Sequence, residues 1–446
     1  TDMSAGTWIQ GGVMYARPAE NLTITNSVFQ NCWSIKEAGA LYLQNGGNIG
    51  IHLINNTFIN NTAYSDKNTY NNDLGGGAVL VKDGTTLSFI NSTFINNTAN
   101  YGGGLNIYNV KSIIVTNATF DGNKAILGGQ DCGQGGGIWT RVKFTANNIK
   151  FVNCEAASRG GGLYISNGVD MPYTNLTFIN NSAVLGGGLY WSKTSVTIDG
   201  MSFINNSASL GGAIYIPSGG NSATSPTQVI NSNFSGNSAD SGGAIYINNV
   251  GNIKISNNNF TDNSAVTEGG AIYIPYSSSS ILIDIGYSDF IRNNASQGGA
   301  IYSGNKGTDT WNIHDCNFLN NSATVSGGAI YLANTQQIMN CNFDGNKAVV
   351  DGGAVYVVEG ILDAKIQDST FTNSHATNGG AVYYGGVSSN LNRALKIIND
   401  TFISNIADYN GGAVLYVTNN GINNYRDYNN FDGIGIPVDG GRTTVK

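Results

Sequence analysis

The segment NNNFTDNSA at residues 257–265, followed by GGAIYI at residues 269–274, contains the pattern that decides the fold. A phenylalanine is followed five residues later by alanine, and then by a glycine pair that opens a short apolar run. The pattern recurs around fourteen phenylalanines: Phe29, Phe58, Phe94, Phe120, Phe151, Phe178, Phe203, Phe234, Phe260, Phe290, Phe318, Phe343, Phe371 and Phe402. Neighbouring phenylalanines are 25 to 36 residues apart, and a repeat of this length predicts a solenoid.

Each repeat contains strand signals and corner signals. The residues seven and five positions before the phenylalanine are usually apolar, as at Ile253 and Ile255, which predicts a strand. Asparagine stands three residues before the phenylalanine in ten copies and three residues after it in eleven. Because asparagine tolerates a left-handed backbone, we expect corners there. The pattern predicts three short strands per repeat and no helix.

The expected fold is all-β, a single right-handed parallel β-helix of about 14–15 coils. One continuous domain over residues 1–446 suffices, because a solenoid core grows linearly with chain length. Residues 430–446 are expected to be a C-terminal cap or linker. Phenylalanine, alanine and the strand aliphatics should face inward, and buried asparagines should form ladders between coils. The glycines should mark a bend where no side chain fits.

The charge of the chain excludes several partners. Charged residues make up 11% of the sequence, the net charge is −7, and lysine and arginine form no cluster. We therefore expect neither a nucleic acid nor an anionic membrane surface as a partner. No run of 18 apolar residues occurs, so the segment should contain no membrane span. The chain begins at Thr1 without an initiator methionine, and we expect a piece of a longer protein.

The fifth residue of each glycine-led strand is predicted to point outward. It is tyrosine in eleven of fifteen copies, and small residues two positions earlier should leave the rings open. The predicted binding stripe comprises Tyr164, Tyr190, Tyr215, Tyr246, Tyr273, Tyr302, Tyr331, Tyr356, Tyr383 and Trp139, with Tyr15 and Tyr42 before it. Exposed aromatic patches often mark interaction sites. The alternative is that the rings stack from coil to coil and only stabilise the sheet.

Five cysteines are present. Cys316 and Cys341 each stand two residues before the phenylalanine of successive coils, at a spacing that allows a disulfide. A second bridge between Cys132 and Cys154 is conceivable, and the alternative is isolated buried thiols.

Fourteen Asn-x-Ser/Thr sequons occur. The best glycosylation candidates stand two residues after the phenylalanine, because the next residue faces inward: Asn60, Asn96, Asn180, Asn205 and Asn320.

Catalytic chemistry is not expected. A β-helix that cleaves polysaccharide needs carboxylates on adjacent coils of one outer face, and the outward position six before the phenylalanine holds only Asp284. The position four before the phenylalanine holds Asp199 and His314, on distant coils. The three histidines of the chain are far apart in sequence and show no metal-ligand spacing. Loop carboxylates at Asp66, Asp73 and Asp131 are the remaining candidates for a cluster. No cofactor is expected. The remaining alternative is a structural Ca²⁺ ion bound by loop aspartates.

The tetrapeptide GGAI, at residues 211–214, 242–245, 269–272, 298–301 and 327–330, alternates with F-x-x-N, as at residues 58–61 and 94–97. This alternation resembles the chlamydial polymorphic outer-membrane proteins, which are surface adhesins. The fuller N-x-T-F-x-N-N-[ST]-A…GGAIY form is more similar to adhesin-like proteins of methanogenic archaea, which carry right-handed parallel β-helices outside the cell. The resemblance covers nearly the whole chain and names no catalytic residue.

The resemblance and the outward tyrosines together imply an extracellular, cell-surface, adhesin-like segment. Its expected partner is a polysaccharide or protein of another cell. The first alternative is a structural subunit that binds copies of itself end to end in a filament, sheath or layer. The second alternative is a polysaccharide-active enzyme.

Overall fold

The computed structural model describes residues 11–35, 37–44, 50–64, 75–126, 132–166, 171–193, 195–217, 226–248, 251–275, 280–304, 309–333, 335–358, 364–385 and 395–417. Regular structure in these ranges consists of β-strands alone, and they contain no helix of membrane-spanning length and hydropathy. The predicted cap at residues 430–446 and the carboxylates Asp66, Asp73 and Asp131 lie outside the described residues.

The chain divides into two compact units, which we call unit 1 (Thr1–Lys193 with Gly200–Ile216) and unit 2 (Thr194–Asp199 with Pro217–Lys446). All strand pairs within each unit are parallel and join one coil to the next, as in the pairs Phe58 with Phe94 and Phe260 with Phe290. The expected parallel β-helix is therefore confirmed.

The strands of unit 1 vary in length because neighbouring strands merge in several coils. They are Met14–Ala16, Leu22–Thr25, Val28–Gln30, Trp33–Ile35, Leu41–Gln44, Gly50–Ile54, Thr57–Ile59, Thr62–Tyr64, Val79–Ile90, Thr93–Ile95, Thr98–Ala99, Leu105–Asp121, Lys124–Ala125, Ile138–Thr140, Thr145–Val152, Glu155–Ala156, Leu163–Ile165, Tyr173–Ile179, Leu189–Trp191, Ser202–Ile204 and Ile214–Ile216.

Unit 2 is more regular and has four series of strands. The entry strands are Thr197–Asp199, Thr227–Ile230, Ile253–Ser256, Leu282–Gly286, Thr310–His314, Thr335–Met339, Lys365–Gln367 and Lys396–Ile398. The phenylalanine strands are Asn233–Ser235, Asn259–Thr261, Asp289–Ile291, Asn317–Leu319, Asn342–Asp344, Thr370–Thr372 and Thr401–Ile403. The alanine strands are Ser238–Ser241, Ser264–Glu268, Asn294–Gln297, Ser322–Ser326, Lys347–Ala348, His375–Asn378 and Ile406–Asn410. The glycine strands are Ile245–Ile247, Ile272–Ile274, Ile301–Ser303, Ile330–Leu332, Val355–Val357, Val382–Gly385 and Val414–Val417.

A coil of unit 2 thus has four short strands, where the sequence predicted three. The entry strand and the phenylalanine strand are separate because the residue three before the phenylalanine adopts a left-handed backbone, as at Asn257 with φ 56°. A second left-handed residue stands two after the phenylalanine, as at Asp262 with φ 56°. The corner lies at this residue and not at the asparagine three after the phenylalanine, which corrects the predicted position.

The core of each unit is a stack of phenylalanine rings. In unit 1 the stack runs from Phe29 to Phe203, and in unit 2 from Phe234 to Phe402. Ring centroids of successive coils are 4.5 to 5.3 Å apart, and the ring planes stay within 18° of parallel. Phenylalanine and the strand aliphatics face inward as predicted, and burial of such side chains from water is the main stabilising contribution.

Buried asparagines three residues after the phenylalanine connect the coils through their side chains. Asn263 is fully buried; its Nδ2 donates to the Phe234 carbonyl at 3.0 Å and to Asn293 Oδ1 at 3.0 Å. Its Oδ1 accepts from the backbone nitrogen and the Nδ2 of Asn237, at 3.0 and 2.9 Å. Every donor and acceptor of this amide is therefore used, as burial of a polar group requires. The predicted asparagine ladder is confirmed.

Candidate functional site: an aromatic column on the glycine strands

The glycine pair sets the path of the strand that carries each aromatic residue. Gly269 has φ +65°, and a Cβ at Gly270 would lie 2.0 Å from the Gly299 carbonyl oxygen of the next coil. No side chain fits there, so the coils approach closely and Ile272 and Ile274 point into the core. Tyr273, between them, faces outward as predicted and is partly exposed.

Adjacent glycine strands align their aromatic residues in register. In unit 2 the pairs Tyr246 with Tyr273, Tyr273 with Tyr302, Tyr302 with Tyr331, Tyr331 with Tyr356 and Tyr356 with Tyr383 follow one another. We call these six residues the unit 2 tyrosine column. In unit 1 Trp139, Tyr164, Tyr190 and Tyr215 are likewise in successive register.

Four aromatic residues of the unit 1 glycine strands are largely buried, which corrects the expectation that they are open to solvent, whereas Tyr15 is 41% exposed. Trp139 is 3% exposed, and Tyr164, Tyr190 and Tyr215 are each below a tenth. The residue that precedes each glycine pair contributes to this burial. Gln134 Oε1 accepts a hydrogen bond from Trp139 Nε1 at 3.0 Å, and the Arg159 guanidinium lies over the Tyr190 ring at 5.6 Å. Burial raises the pKa of Tyr190 to about 12.

All six tyrosines of the unit 2 column are partly exposed, but their ring planes are not equally aligned. From Tyr302 to Tyr383 the rings are stacked, with centroids 4.6 to 5.1 Å apart and planes within 22° of parallel. The planes of Tyr246 and Tyr273 instead meet at 62°, and those of Tyr273 and Tyr302 at 43°. Stacked rings cover each other's faces, whereas tilted rings leave part of each face uncovered. We call Tyr246, Tyr273 and Tyr302 the open section.

A column of polar residues runs beside the unit 2 tyrosines, at the position before each glycine pair. Ser241, Glu268, Gln297, Ser326, Asp351, Asn378 and Asn410 form it through successive pairings. Ser241 Oγ donates to Glu268 Oε2 at 2.8 Å, and Asn378 Nδ2 donates to Asp351 Oδ1 at 2.9 Å. The open section therefore lies next to Glu268, which the sequence interpretation did not single out. The sequence feature that could have identified Glu268 is its position directly before Gly269-Gly270. The corresponding positions of unit 1 hold longer or apolar side chains.

The charge of Glu268 acts on two tyrosines of the open section, Tyr273 and Tyr302. Burial and then the Glu268 carboxylate raise the pKa of Tyr273. Burial is also the main cause that raises the pKa of Tyr302 well above its ordinary range, with Tyr331 and Glu268 adding to it. Both phenols are therefore protonated at neutral pH, so the open section presents neutral rings and hydroxyls beside one carboxylate.

A second polar group joins two coils on the entry strands of unit 2, and its pairing was not predicted from the sequence. His314 Nε2 lies 3.3 Å from Asp284 Oδ1, and His314 Nδ1 lies 2.7 Å from Asp315 Oδ2. Asp284 and His314 belong to columns six and four residues before the phenylalanine, and the pairing of Gly286 with His314 brings them together. Since both ring nitrogens face a carboxylate, the histidine links the coils. Among the described residues, no group of three or more His, Cys, Asp and Glu side chains is arranged to hold a metal ion.

All five cysteines are free thiols in the structure, so neither expected disulfide is present. Cys316 Sγ donates to the His314 carbonyl and Cys341 Sγ to the Met339 carbonyl, each at 3.2 Å. Each thiol also lies 3.8 Å from a carbonyl oxygen of the preceding coil, that of Ile285 for Cys316 and that of Ile313 for Cys341. Burial raises the pKa of Cys316 well above its ordinary value.

The five favoured sequon asparagines, Asn60, Asn96, Asn180, Asn205 and Asn320, are all exposed at left-handed corners. The asparagine that follows each one is buried in the asparagine ladder, as for Asn61 and Asn321. These five asparagines therefore point outward as predicted. Their glycosylation stays a prediction.

The fold and this surface define a solenoid of the parallel β-helix class with an outward aromatic column. Residues 187–361 match the family model described as "right handed beta helix region", which agrees with the predicted handedness. That family covers adhesins as well as polysaccharide-active enzymes, so the match supports the fold and leaves the function open. The comparison with curated proteins gave no match.

Proposed function

We propose that this β-helix is an extracellular, adhesin-like contact segment that binds polysaccharide through the open section of unit 2. The observation that carries the proposal is the tilt of Tyr246, Tyr273 and Tyr302, which leaves aromatic faces uncovered next to hydrogen-bonding groups. Sugar rings bind to such surfaces by packing their apolar C–H faces on the aromatic ring while their hydroxyls bond to polar neighbours.

The repeated register supports a polymer as the ligand. The three tyrosines lie on successive coils, about 4.7–4.9 Å apart along the stacking direction. Ser241, Glu268 and Gln297 follow with the same spacing, so one side of the section offers aromatic surface and the other offers polar groups. An extended chain with a repeating unit matches such a surface better than a single small molecule does.

The proposed role is binding without catalysis, at the surface of a cell and toward a second cell or its matrix. The resemblance to methanogen and chlamydial surface proteins supports this location. The test is binding of the purified chain to a panel of insoluble and soluble polysaccharides, with a reducing-end assay on the same panel. Retention on at least one polysaccharide without release of reducing ends is expected. Failure to bind any of them, or cleavage of a bound one, would contradict the proposal.

A further inference from the structure

We infer that the glycan recognised by the open section carries free amino groups, and that Glu268 binds their ammonium form; this inference rests on the proposed function. Glu268 ends the alanine strand Ser264–Glu268 and directly precedes the glycine pair of the Tyr273 strand. Its charge acts on both Tyr273 and Tyr302. A ligand lying on these two rings is therefore within the field of this carboxylate.

The carboxylate has a hydrogen-bond partner but no cationic one. Ser241 Oγ donates to Glu268 Oε2, and within the described part of the chain no lysine, arginine or histidine forms an ion pair with it. The described lysines and arginines of unit 2 are Lys254, Arg292, Lys347, Lys365 and Lys396, and they lie on entry, phenylalanine and alanine strands or their corners. Arg292 is already paired with Asp262 at 2.7 Å. The open section is consequently anionic, and it disfavours uronate or sulfated chains.

Unit 1 shows a cation accommodated on the same kind of surface. Arg159 precedes Gly160 in the way that Glu268 precedes Gly269, and its guanidinium lies over the Tyr190 ring at 5.6 Å. A tyrosine of the glycine strands therefore accepts a cation over its ring at this position. Unit 1 supplies a cation from its own chain and unit 2 supplies a carboxylate, so an ammonium on the ligand would take the place that Arg159 has in unit 1. An ammonium on a sugar would gain a charge-assisted hydrogen bond to Glu268 and a cation–π contact with the neighbouring ring.

The test compares two ligands that differ only in this group. A β-1,4-linked glucosamine hexamer and its fully N-acetylated counterpart are titrated calorimetrically into the whole chain at pH 6 and low salt. The wild-type protein should bind the amino hexamer about tenfold more tightly, the effect of one charge-assisted hydrogen bond. In Glu268→Gln the two affinities should agree within about twofold. Asp351→Asn is the matched control, because Asp351 occupies the same column beside stacked rings, and it should keep the preference.

The possible outcomes distinguish a failure of the amino-sugar inference from a failure of the proposed polysaccharide binding. Equal binding of the two hexamers by the wild type, or a preference that survives Glu268→Gln, would overturn the assignment of amino sugars and leave polysaccharide binding standing. Loss of the preference in Asp351→Asn as well would overturn the role of Glu268. Binding of neither hexamer, together with no binding across the polysaccharide panel, would overturn both. A cellulose hexamer, which has hydroxyls in place of the amino groups, should bind like the acetylated ligand.

Discussion

The rings of Tyr246 and Tyr273 lie on adjacent coils with their centroids 4.9 Å apart and their planes at 62°, whereas Tyr356 and Tyr383, in the same register, lie at 10°. One column of identical residues therefore contains two arrangements with different consequences. Parallel rings cover each other and stabilise the sheet, and tilted rings offer part of their faces to a ligand. We therefore assign the two interpretations that the sequence leaves open, stacking and ligand binding, to different stretches of one column as a hypothesis.

The first prediction separates these two stretches. Replacing Tyr246, Tyr273 and Tyr302 together by serine should weaken polysaccharide binding at least about tenfold, because the open faces are removed. Replacing Tyr331, Tyr356 and Tyr383 should lower the unfolding temperature while leaving binding within about twofold. Affinity gel electrophoresis and thermal unfolding of both variants provide the measurements. Equal loss of binding in the two variants would contradict a special role for the open section.

The buried asparagine ladder should be a strong local determinant of stability. Asn263→Ala removes an amide that makes four hydrogen bonds, with the Phe234 carbonyl, the backbone nitrogen and Nδ2 of Asn237, and Asn293 Oδ1. The expected loss is about 2–4 kcal/mol in the free energy of unfolding, measured with urea. Asn294→Ala, at the exposed residue that follows Asn293 on the next coil, should stay within about 0.5 kcal/mol. Comparable losses for both variants would refute the assignment.

A half-buried carboxyl, that of Asp400, should make stability fall with rising pH. Burial raises the pKa of Asp400 to about 7, against an ordinary value of 3.8, despite hydrogen bonds from the Ser369 and Ile398 nitrogens. Below pH 4 both folded and unfolded forms hold the proton, so this group contributes no dependence. Between pH 4 and pH 7 only the unfolded chain loses it, so stability decreases, and above pH 7 the effect is constant.

Asp400→Asn should remove this decline and stabilise the protein at pH 7.5 by on the order of 1–3 kcal/mol. Asparagine suits the site, since Asn258 stands two residues before its phenylalanine in the same way and donates to the Val229 carbonyl at 2.8 Å. Urea unfolding at pH 4, 5.5 and 7.5 tests the prediction. A pH profile that is identical in the variant and the wild type would exclude Asp400 as the cause.

Glycosylation is expected at Asn60, Asn96, Asn180, Asn205 and Asn320 when the chain is secreted by a host that modifies sequons, because these side chains are exposed. Intact-mass measurement should exceed the polypeptide mass, and peptide mapping should place glycans at these positions. Ser322→Ala should remove the glycan at Asn320 without altering its left-handed backbone. Detection of the bare polypeptide mass alone would exclude the modification in that host.

The free thiols predict a distinct pattern of alkylation. Cys154, Cys316 and Cys341 are buried, and burial raises the pKa of Cys154 to about 12, so these three should react only after unfolding. Cys32 and Cys132 are partly exposed and should react in the native protein. Mass spectrometry after labelling with and without denaturant distinguishes the two groups. Recovery of Cys316 and Cys341 as a linked peptide would show that the expected disulfide forms after all.

Much of the fold was predictable because each repeat position has one environment. Phenylalanine at a fixed spacing has to be buried, and asparagine three residues later has to satisfy its amide from neighbouring coils, as Asn263 does. The second corner was predicted at the wrong residue because Asp262 and similar residues, and not the buried asparagines that follow them, take the left-handed backbone. A repeat shows where a corner falls only to within a residue, since several residue types adopt that backbone.

The candidate site was predictable only in part. The outward direction of Tyr273 follows from strand alternation between Ile272 and Ile274. The burial of Trp139 and Tyr190 does not follow from it, because Gln134 and Arg159, which precede glycine pairs, contact these rings. Likewise, the contact of Asp284 with His314 required the register between two coils 28 residues apart.

The sequence by itself determined the parallel β-helix, its phenylalanine core, its asparagine ladder and the outward side of the tyrosines, because these depend on periodicity within one chain segment. Only the tertiary structure decided which tyrosines are covered, which rings tilt, and that Glu268 lies beside the tilted ones. Those properties depend on side-chain contacts between coils, where ring planes and neighbouring charges are set by packing that a repeat pattern does not encode.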